Sequence, residues 1–221
     1  MVRAVAFDAY GTLFDLAGVA ERCEGVWPGR GRALADLWRR KQIEYTWQRS
    51  LMDRYASFAT VTHEALEFAC AFLGLPLDSA ERAAVADAYT QLLPFADATG
   101  ALEALRRTDY ALAILTNGSP EMIEPLVART FGSSFRAVLS VDEARVYKPS
   151  PRAYRLLPDR LSVTPEEVAF VTSNAWDAAG ASAFGFHTIW VNRGGTPFDR
   201  VGSPQPRTVT GLDGVAAAVA H

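Results

Sequence analysis

Residues 4–15 read Ala4-Val5-Ala6-Phe7-Asp8-Ala9-Tyr10-Gly11-Thr12-Leu13-Phe14-Asp15, and this run decides the fold. Four apolar residues ended by an aspartate and a turn-forming glycine have the pattern of a short strand buried on both faces of a parallel sheet. Three later runs have the same character: Leu112-Ala113-Ile114-Leu115, Val168-Ala169-Phe170-Val171 and Thr188-Ile189-Trp190-Val191. A weaker one is Ala137-Val138-Leu139-Ser140. Helical patterns separate them, which predicts βαβ units and a Rossmann-like, mostly parallel α/β sheet. Ser119-Pro120-Glu121, Ser150-Pro151 and Thr164-Pro165-Glu166 each place a hydroxyl before a proline, predicting three helix starts with a capping side chain.

Between residues 17 and 93 the alternation stops. Helical patterns cover 32–54, 62–73 and 78–93, punctuated by Gly29, Gly31, Gly74 and Pro76, with no convincing strand. The expected organisation is an α/β core of residues 1–15 and 95–221 with a helical cap, 16–94, inserted after the first strand. With 221 residues, a core plus a modest insertion is the comfortable size.

Composition excludes several functions. The chain has 22 basic and 25 acidic residues, a formal net charge of -3, so it carries no electrostatic footprint for nucleic acid or an anionic membrane. No run approaches 18 apolar residues, and the first residues lack the features of a signal peptide. Cys23 and Cys70 have neither metal nor redox spacing and are expected to be reduced thiols of a cytoplasmic protein. His63, His187 and His221 show no metal spacing, and neither a Gly-x-Ser-x-Gly elbow nor a Walker loop occurs.

In open α/β sheets ligands bind beyond the carboxyl ends of the strands. Five segments are expected to meet there: Asp8 to Thr12, Thr116-Asn117-Gly118-Ser119, Lys148-Pro149, Thr172-Ser173-Asn174-Ala175-Trp176-Asp177 and, from the insertion, Arg39. Read singly, most have a plain structural meaning. Asp8 caps a turn, Arg39 is a solvated helix charge, Lys148 is a loop lysine, and Tyr154 and Trp176 are core aromatics. Together they form a constellation.

That constellation resembles the haloacid dehalogenase superfamily. Phe7 to Asp15 is similar to its first motif, Thr116-Asn117-Gly118 to the second, Lys148-Pro149 to the third and Ser173 to Asp177 to the fourth. Within the superfamily the chain most resembles the L-2-haloacid dehalogenases, through the segment Leu37-Trp38-Arg39-Arg40-Lys41-Gln42-Ile43-Glu44-Tyr45-Thr46-Trp47 and Trp190-Val191-Asn192-Arg193. Superfamily phosphatases carry a second aspartate two residues after the nucleophile, and further acidic residues in the fourth motif that hold Mg²⁺. Here those positions are Tyr10, a weak acid with an ordinary pKa of about 10, and Asn174. Halide leaves as a stable anion and needs neither.

The resemblance implies a cofactor-free hydrolase without a metal, acting on short 2-haloacids through an ester on Asp8. Arg39 and Asn117 would receive the halide. Thr116, Lys148 and backbone N–H groups near Ala9 and Tyr10 would hold the substrate carboxylate. Thr12 would orient Asp8. Asp177, with Thr172 and Asn174, would pair with Lys148 and position the hydrolytic water, braced by Tyr154. Tyr10, Ile43, Phe58 and Trp176 would form the apolar wall. Relatives suggest a homodimer, with Trp38, Tyr45 and Trp47 packing the cap or an interface. Two alternatives stay open from the residues: a Mg²⁺-dependent small-molecule phosphatase of the same superfamily, and a non-catalytic binding protein on the same scaffold. Arg40, Thr116 and Thr172 depart from the family pattern, and Arg40 is expected either to face solvent or to add a cation at the pocket rim.

Overall fold

A computed structural model describes residues 1–76, 78, 81 and 85–220. Six strands form one sheet: β1 (Ala4–Phe7), β2 (Ala111–Thr116), β3 (Ala137–Ser140), β4 (Val168–Thr172), β5 (His187–Val191) and β6 (Arg207–Val209). Their order is β3-β2-β1-β4-β5-β6, and every pairing is parallel. β1 is central and wholly buried, which is why its four residues carry no polar side chain. Phe7 is in register with Ile114 of β2 and Val171 of β4, so the carboxyl ends of β1, β2 and β4 reach one edge together. From β1 the chain moves outward to β3 and then returns to the opposite side of β1 as β4, creating a switch point above Asp8.

β6 went unread in the sequence: three residues at an edge, largely exposed, carry no hydrophobic period. Of the three proline-marked starts, two open helices, Pro120–Phe131 and Pro151–Leu161. The third opens only a 3₁₀ turn, Pro165–Glu167, where Thr164 and Glu167 form a reciprocal capping box before β4 takes the chain. Contrary to expectation, neither Ser119 nor Ser150 makes a side-chain cap bond. Proline at the first position leaves one N–H fewer to satisfy there.

Residues 16–94 supply helices α1 (Ala17–Val26), α2 (Gly31–Leu51) and α3 (Phe58–Leu73). The helix read over 32–54 stops at Leu51, and the one read over 62–73 begins four residues earlier, because Ser57 turns extended and its Oγ accepts from Thr60 N–H. Gly74 ends α3 in the left-handed conformation, at φ 64°. Residues 79, 80 and 82–84 of the helix read over 78–93 lie outside the described residues; its far part holds a 3₁₀ turn, Asp87–Thr90. α3 buries Phe58, Val61, Thr62, Ala65, Leu66, Ala69 and Cys70, the stripe of an amphipathic helix, against α2. The chain leaves and re-enters the sheet layer side by side: Asp15 N–H donates to Leu93 O and Phe95 N–H to Leu13 O, both at 2.9 Å.

Candidate active site

Asp8 sits just beyond β1, with 5% of its surface exposed and both carboxylate oxygens held. Oδ1 accepts from Lys148 Nζ at 2.8 Å; Oδ2 accepts from Thr12 Oγ1 and Asn174 Nδ2, each at 2.9 Å. The turn that holds Thr12 under Asp8 closes on one carbonyl, Ala9 O, which accepts from the N–H groups of Thr12, Leu13 and Phe14. Thr12 Oγ1 also accepts from Ser173 N–H at 2.8 Å, tying the β1 loop to the β4 loop.

Lys148 is fully buried, which only pairing makes tolerable. Its ammonium donates to Asp8 Oδ1, to Asp177 Oδ2 at 2.8 Å and to Leu115 O at 3.1 Å. Burial pulls the Lys148 pKa down, but the two carboxylates outweigh it and hold it above the usual lysine value of 10.5. Asp177, also fully buried, is raised above 3.8 by burial and by Asp8, against the opposing pull of Lys148. Tyr154 donates its hydroxyl to Asp177 Oδ1 at 2.7 Å, and burial drives that phenol well up. A cation does stand between the two acids: it is this ammonium. With its three hydrogens committed to protein oxygens, Lys148 has none left for a substrate carboxylate, which corrects half of the role expected of it.

Two other placements differ from the sequence reading. Asn174 donates to Asp8 Oδ2 and Tyr10 O, and not to Asp177. Thr172 Oγ1 accepts from Asn174 N–H at 3.1 Å, setting the loop and not the acid. Thr116 Oγ1 likewise accepts from Gly118 N–H at 3.0 Å. Asn117 spends its Oδ1 on Lys148 N–H, leaving Nδ2 unpaired.

Above Asp8 lies a small, tight space lined by Tyr10, Arg39, Ile43, Phe58, Thr116, Asn117, Asn174 and Trp176. A cleft of about 720 Å³ opens elsewhere, beside Tyr110, His187 and Arg207; among the described residues no Asp or Glu side chain lines it, whereas Asp8 lines the smaller space. Phe58 stacks on Tyr10 with ring centroids 5.8 Å apart, and Trp47 braces Trp176 edge-on. Arg40 is exposed and does not line the space.

Arg39 is held by residues the sequence reading passed over. Its Nη1 donates to Gln42 Oε1 at 2.6 Å, and Gln42 Nε2 donates to Thr62 Oγ1 at 2.7 Å. Tyr89 stands beside the guanidinium, its phenol pushed up to about 12 by burial while Arg39 works against that. A signal for Gln42 was present: Leu34, Trp38, Gln42 and Thr46 recur every four residues on the buried stripe of α2, where an amide needs a partner. Ser140, also missed, donates its Oγ to Gly118 O at 2.7 Å and so steadies the β2 loop.

The model of the haloacid dehalogenase-like hydrolases matches residues 2–185. The chain belongs to that family. Among curated relatives it is similar to an (S)-2-haloacid dehalogenase from Pseudomonas sp. (strain YL), 46% identical over 97% of this chain and 93% of the relative. A haloacetate dehalogenase from Moraxella sp. (strain B) is 41% identical, over 99% and 98%. Among solved structures, an L-2-haloacid dehalogenase from Xanthobacter autotrophicus with chloropropionic acid covalently bound superposes with a TM-score of 0.92, at 40% identity, over 100% of this chain and 99% of that one. Within this haloacid dehalogenase-like hydrolase, Gly180 marks how tightly the acid–lysine pair is packed. A Cβ there would lie 2.5 Å from Pro149 Cβ and 2.6 Å from the Tyr154 hydroxyl. Gly180→Ala is expected to cost about 1–3 kcal/mol, read as a lowered melting temperature, because backbone-anchored Pro149 and the braced phenol have to shift. An unchanged melting temperature would count against the packing described.

Proposed function

We propose that the protein is a hydrolytic dehalogenase that converts short (S)-2-haloacids to (R)-2-hydroxy acids and halide through an ester on Asp8. The observation that carries this is the buried triad of Asp8, Lys148 and Asp177, open on one side to a small space faced by Arg39. Two carboxylates share one ammonium, so the triad holds an uncompensated negative charge. Attack of an Asp8 oxygen on C2 forms the C–O bond as the carbon–halogen bond breaks, and its electron pair leaves as halide. Asp8 becomes a neutral ester, the Lys148–Asp177 pair is left balanced, and the negative charge appears on the halide near Arg39 and Asn117. Attack from behind inverts C2. Water then enters at the carboxyl carbon of the ester, steered by Asp177 and Asn174 with Thr172 setting their loop, so the stereocentre is not touched again. Fixing the line of attack can contribute about 7–11 kcal/mol in favourable cases. Thr116, with the backbone near Ala9 and Tyr10, takes the substrate carboxylate; Ile43, Phe58 and Trp176 enclose its alkyl group.

In the same reading residues 16–94 act as the cap that carries Arg39 over the nucleophile, and the enzyme works in the cytoplasm as a homodimer. Cys23 and Cys70 are not joined in a disulfide, and no described helix is long and apolar enough to cross a membrane. Phe68 and the exposed Phe72 stack on α3 beside Tyr45, an apolar face suited to a second copy. Sedimentation equilibrium is expected to return twice the chain mass of 24.0 kDa; the monomer mass at micromolar concentration would remove the dimer.

Incubation with monochloroacetate and (S)-2-chloropropionate is expected to release halide without added metal and to yield (R)-lactate from the latter. Absence of halide release, or (S)-lactate as product, overturns the proposal. The pH profile follows from the triad. The working form has Asp177 ionised and Lys148 charged. Asp177 is raised, so kcat/KM falls on the acid side above the ordinary 3.8. Lys148 is raised too, so the alkaline fall comes only beyond 10.5. An alkaline limb centred below pH 9 would contradict the assignment of Lys148.

A further inference from the structure

The space above Asp8 holds two polar atoms that the protein leaves unused. Tyr10 is 3% exposed and its hydroxyl has no partner; Asn117 Nδ2 is also buried and unpaired, its amide oxygen being fixed on Lys148 N–H. Buried donors are almost always satisfied, and leaving one unmade is costly, so unpaired donors lining a cavity point to a ligand that accepts. Tyr10 cannot easily turn away. Its ring is stacked on Phe58, set edge-on to Tyr89 at 6.0 Å, and pressed on Gly118, where a Cβ would come within 2.6 Å of the ring and 3.4 Å of the hydroxyl. Tyr10 thus lies against the residue that follows Asn117, and Tyr10, Asn117 and Arg39 all line the same small space. As an apolar wall, the role expected of Tyr10 from sequence, a phenylalanine would serve without the cost of an orphaned hydroxyl.

We infer that Tyr10 is a catalytic residue of the dehalogenation, donating its hydroxyl hydrogen bond to the departing halide together with Arg39 and Asn117 Nδ2. The inference rests on the dehalogenase reading above. As the Asp8 oxygen bonds to C2, the electron pair of the carbon–halogen bond moves to the halide and the Tyr10 O–H turns to it. The phenol keeps its proton throughout, consistent with the upward push that burial gives it. Small halides concentrate their charge and gain most from such a donor, so the contribution grows from iodide through bromide to chloride.

Tyr10→Phe removes the hydroxyl and keeps the ring. Single-turnover halide release is expected to fall about 10- to 100-fold with chloroacetate and by less than about 3-fold with iodoacetate, with bromoacetate between, because one donor to developing charge is lost. A purely structural role for Tyr10 slows all three alike, and that outcome, like no loss with chloroacetate, overturns the inference. A second readout uses the parent protein, where folding of a variant is not in question. With tyrosines labelled at ¹³Cζ, saturating chloride is expected to move a resonance that is missing in Tyr10→Phe, or, if that variant does not fold, one that chloroacetate also displaces; no movement overturns the inference. If the parent releases no halide from any of the three acids, it is the dehalogenase reading that fails.

Discussion

Asp8→Asn is expected to slow halide release by about 10⁵-fold while the protein stays folded. Loss of a covalent nucleophile removes the step on which everything else acts, and effects of this size are measured where the remaining groups cannot substitute. The fold survives because the amide oxygen still accepts from Lys148. The amide nitrogen then faces the Asn174 Nδ2 donor and loses one bond, a cost of about 1–2 kcal/mol. Part of that is returned because a neutral residue no longer repels Asp177. The check is a halide assay at protein concentrations high enough to see single turnovers, beside a thermal melt. A residual rate above about one hundredth of the parent's would remove Asp8 from the nucleophile's place.

Lys148→Met is expected to produce the largest loss of stability of any single change in the site, about 3–5 kcal/mol at neutral pH, or roughly 10 °C in melting temperature. The methionine fills the volume, but Asp8 and Asp177 are left buried and close with no cation between them. Asp177, raised already in the parent, loses in the variant the lowering pull of Lys148, so its folded-state pKa lies above the unfolded one and protonating it relieves the strain. The stability gap to the parent therefore narrows as pH falls from 7 toward 4 and is widest above the raised Asp177 value. Activity is lost at every pH. A gap that stays constant with pH would mean that the loss is one of packing and not of charge. Replacing Asp177 and Lys148 together by an apolar pair is expected to recover much of the stability and none of the activity, because the buried pair exists for chemistry.

Much of this protein was legible before any coordinates. Five of the six strands are short apolar runs bounded by turn residues, and burial on both faces of a parallel sheet is what permits such runs. β6 was illegible because an exposed three-residue edge strand is specified by its neighbour β5 and not by its own pattern. The place where the chain leaves and re-enters the sheet layer, paired through Asp15 and Phe95, shows in sequence only as the point where strand patterns stop and resume. At the site, residue types and loop positions named the groups that the fold brings around Asp8. What could not be read was which atom each group spends on which partner. Nothing in Lys148-Pro149 says that all three ammonium hydrogens are consumed internally, and nothing in Thr172 or Asn174 says that the first sets a loop while the second serves Asp8. Tyr89 is reached from a segment fifty residues away from Arg39 in sequence, so its approach exists only after folding. Gln42 was legible and overlooked: an amide on the buried stripe of α2 is a polar group in search of a partner, and the partner is the guanidinium three residues before it.

The account turns on an oxygen of Asp8 becoming bonded to the substrate's carbon. A single turnover in H₂¹⁸O with enzyme in excess over (S)-2-chloropropionate tests this directly, by mass spectrometry of the peptide containing Asp8 and of the lactate. Water entering at the ester carbonyl places ¹⁸O in the Asp8 carboxylate and leaves the first-formed lactate carrying ¹⁶O. Lactate labelled on that first turnover, with an unlabelled Asp8 peptide, would mean that water attacks the substrate itself and that Asp8 never bonds to it.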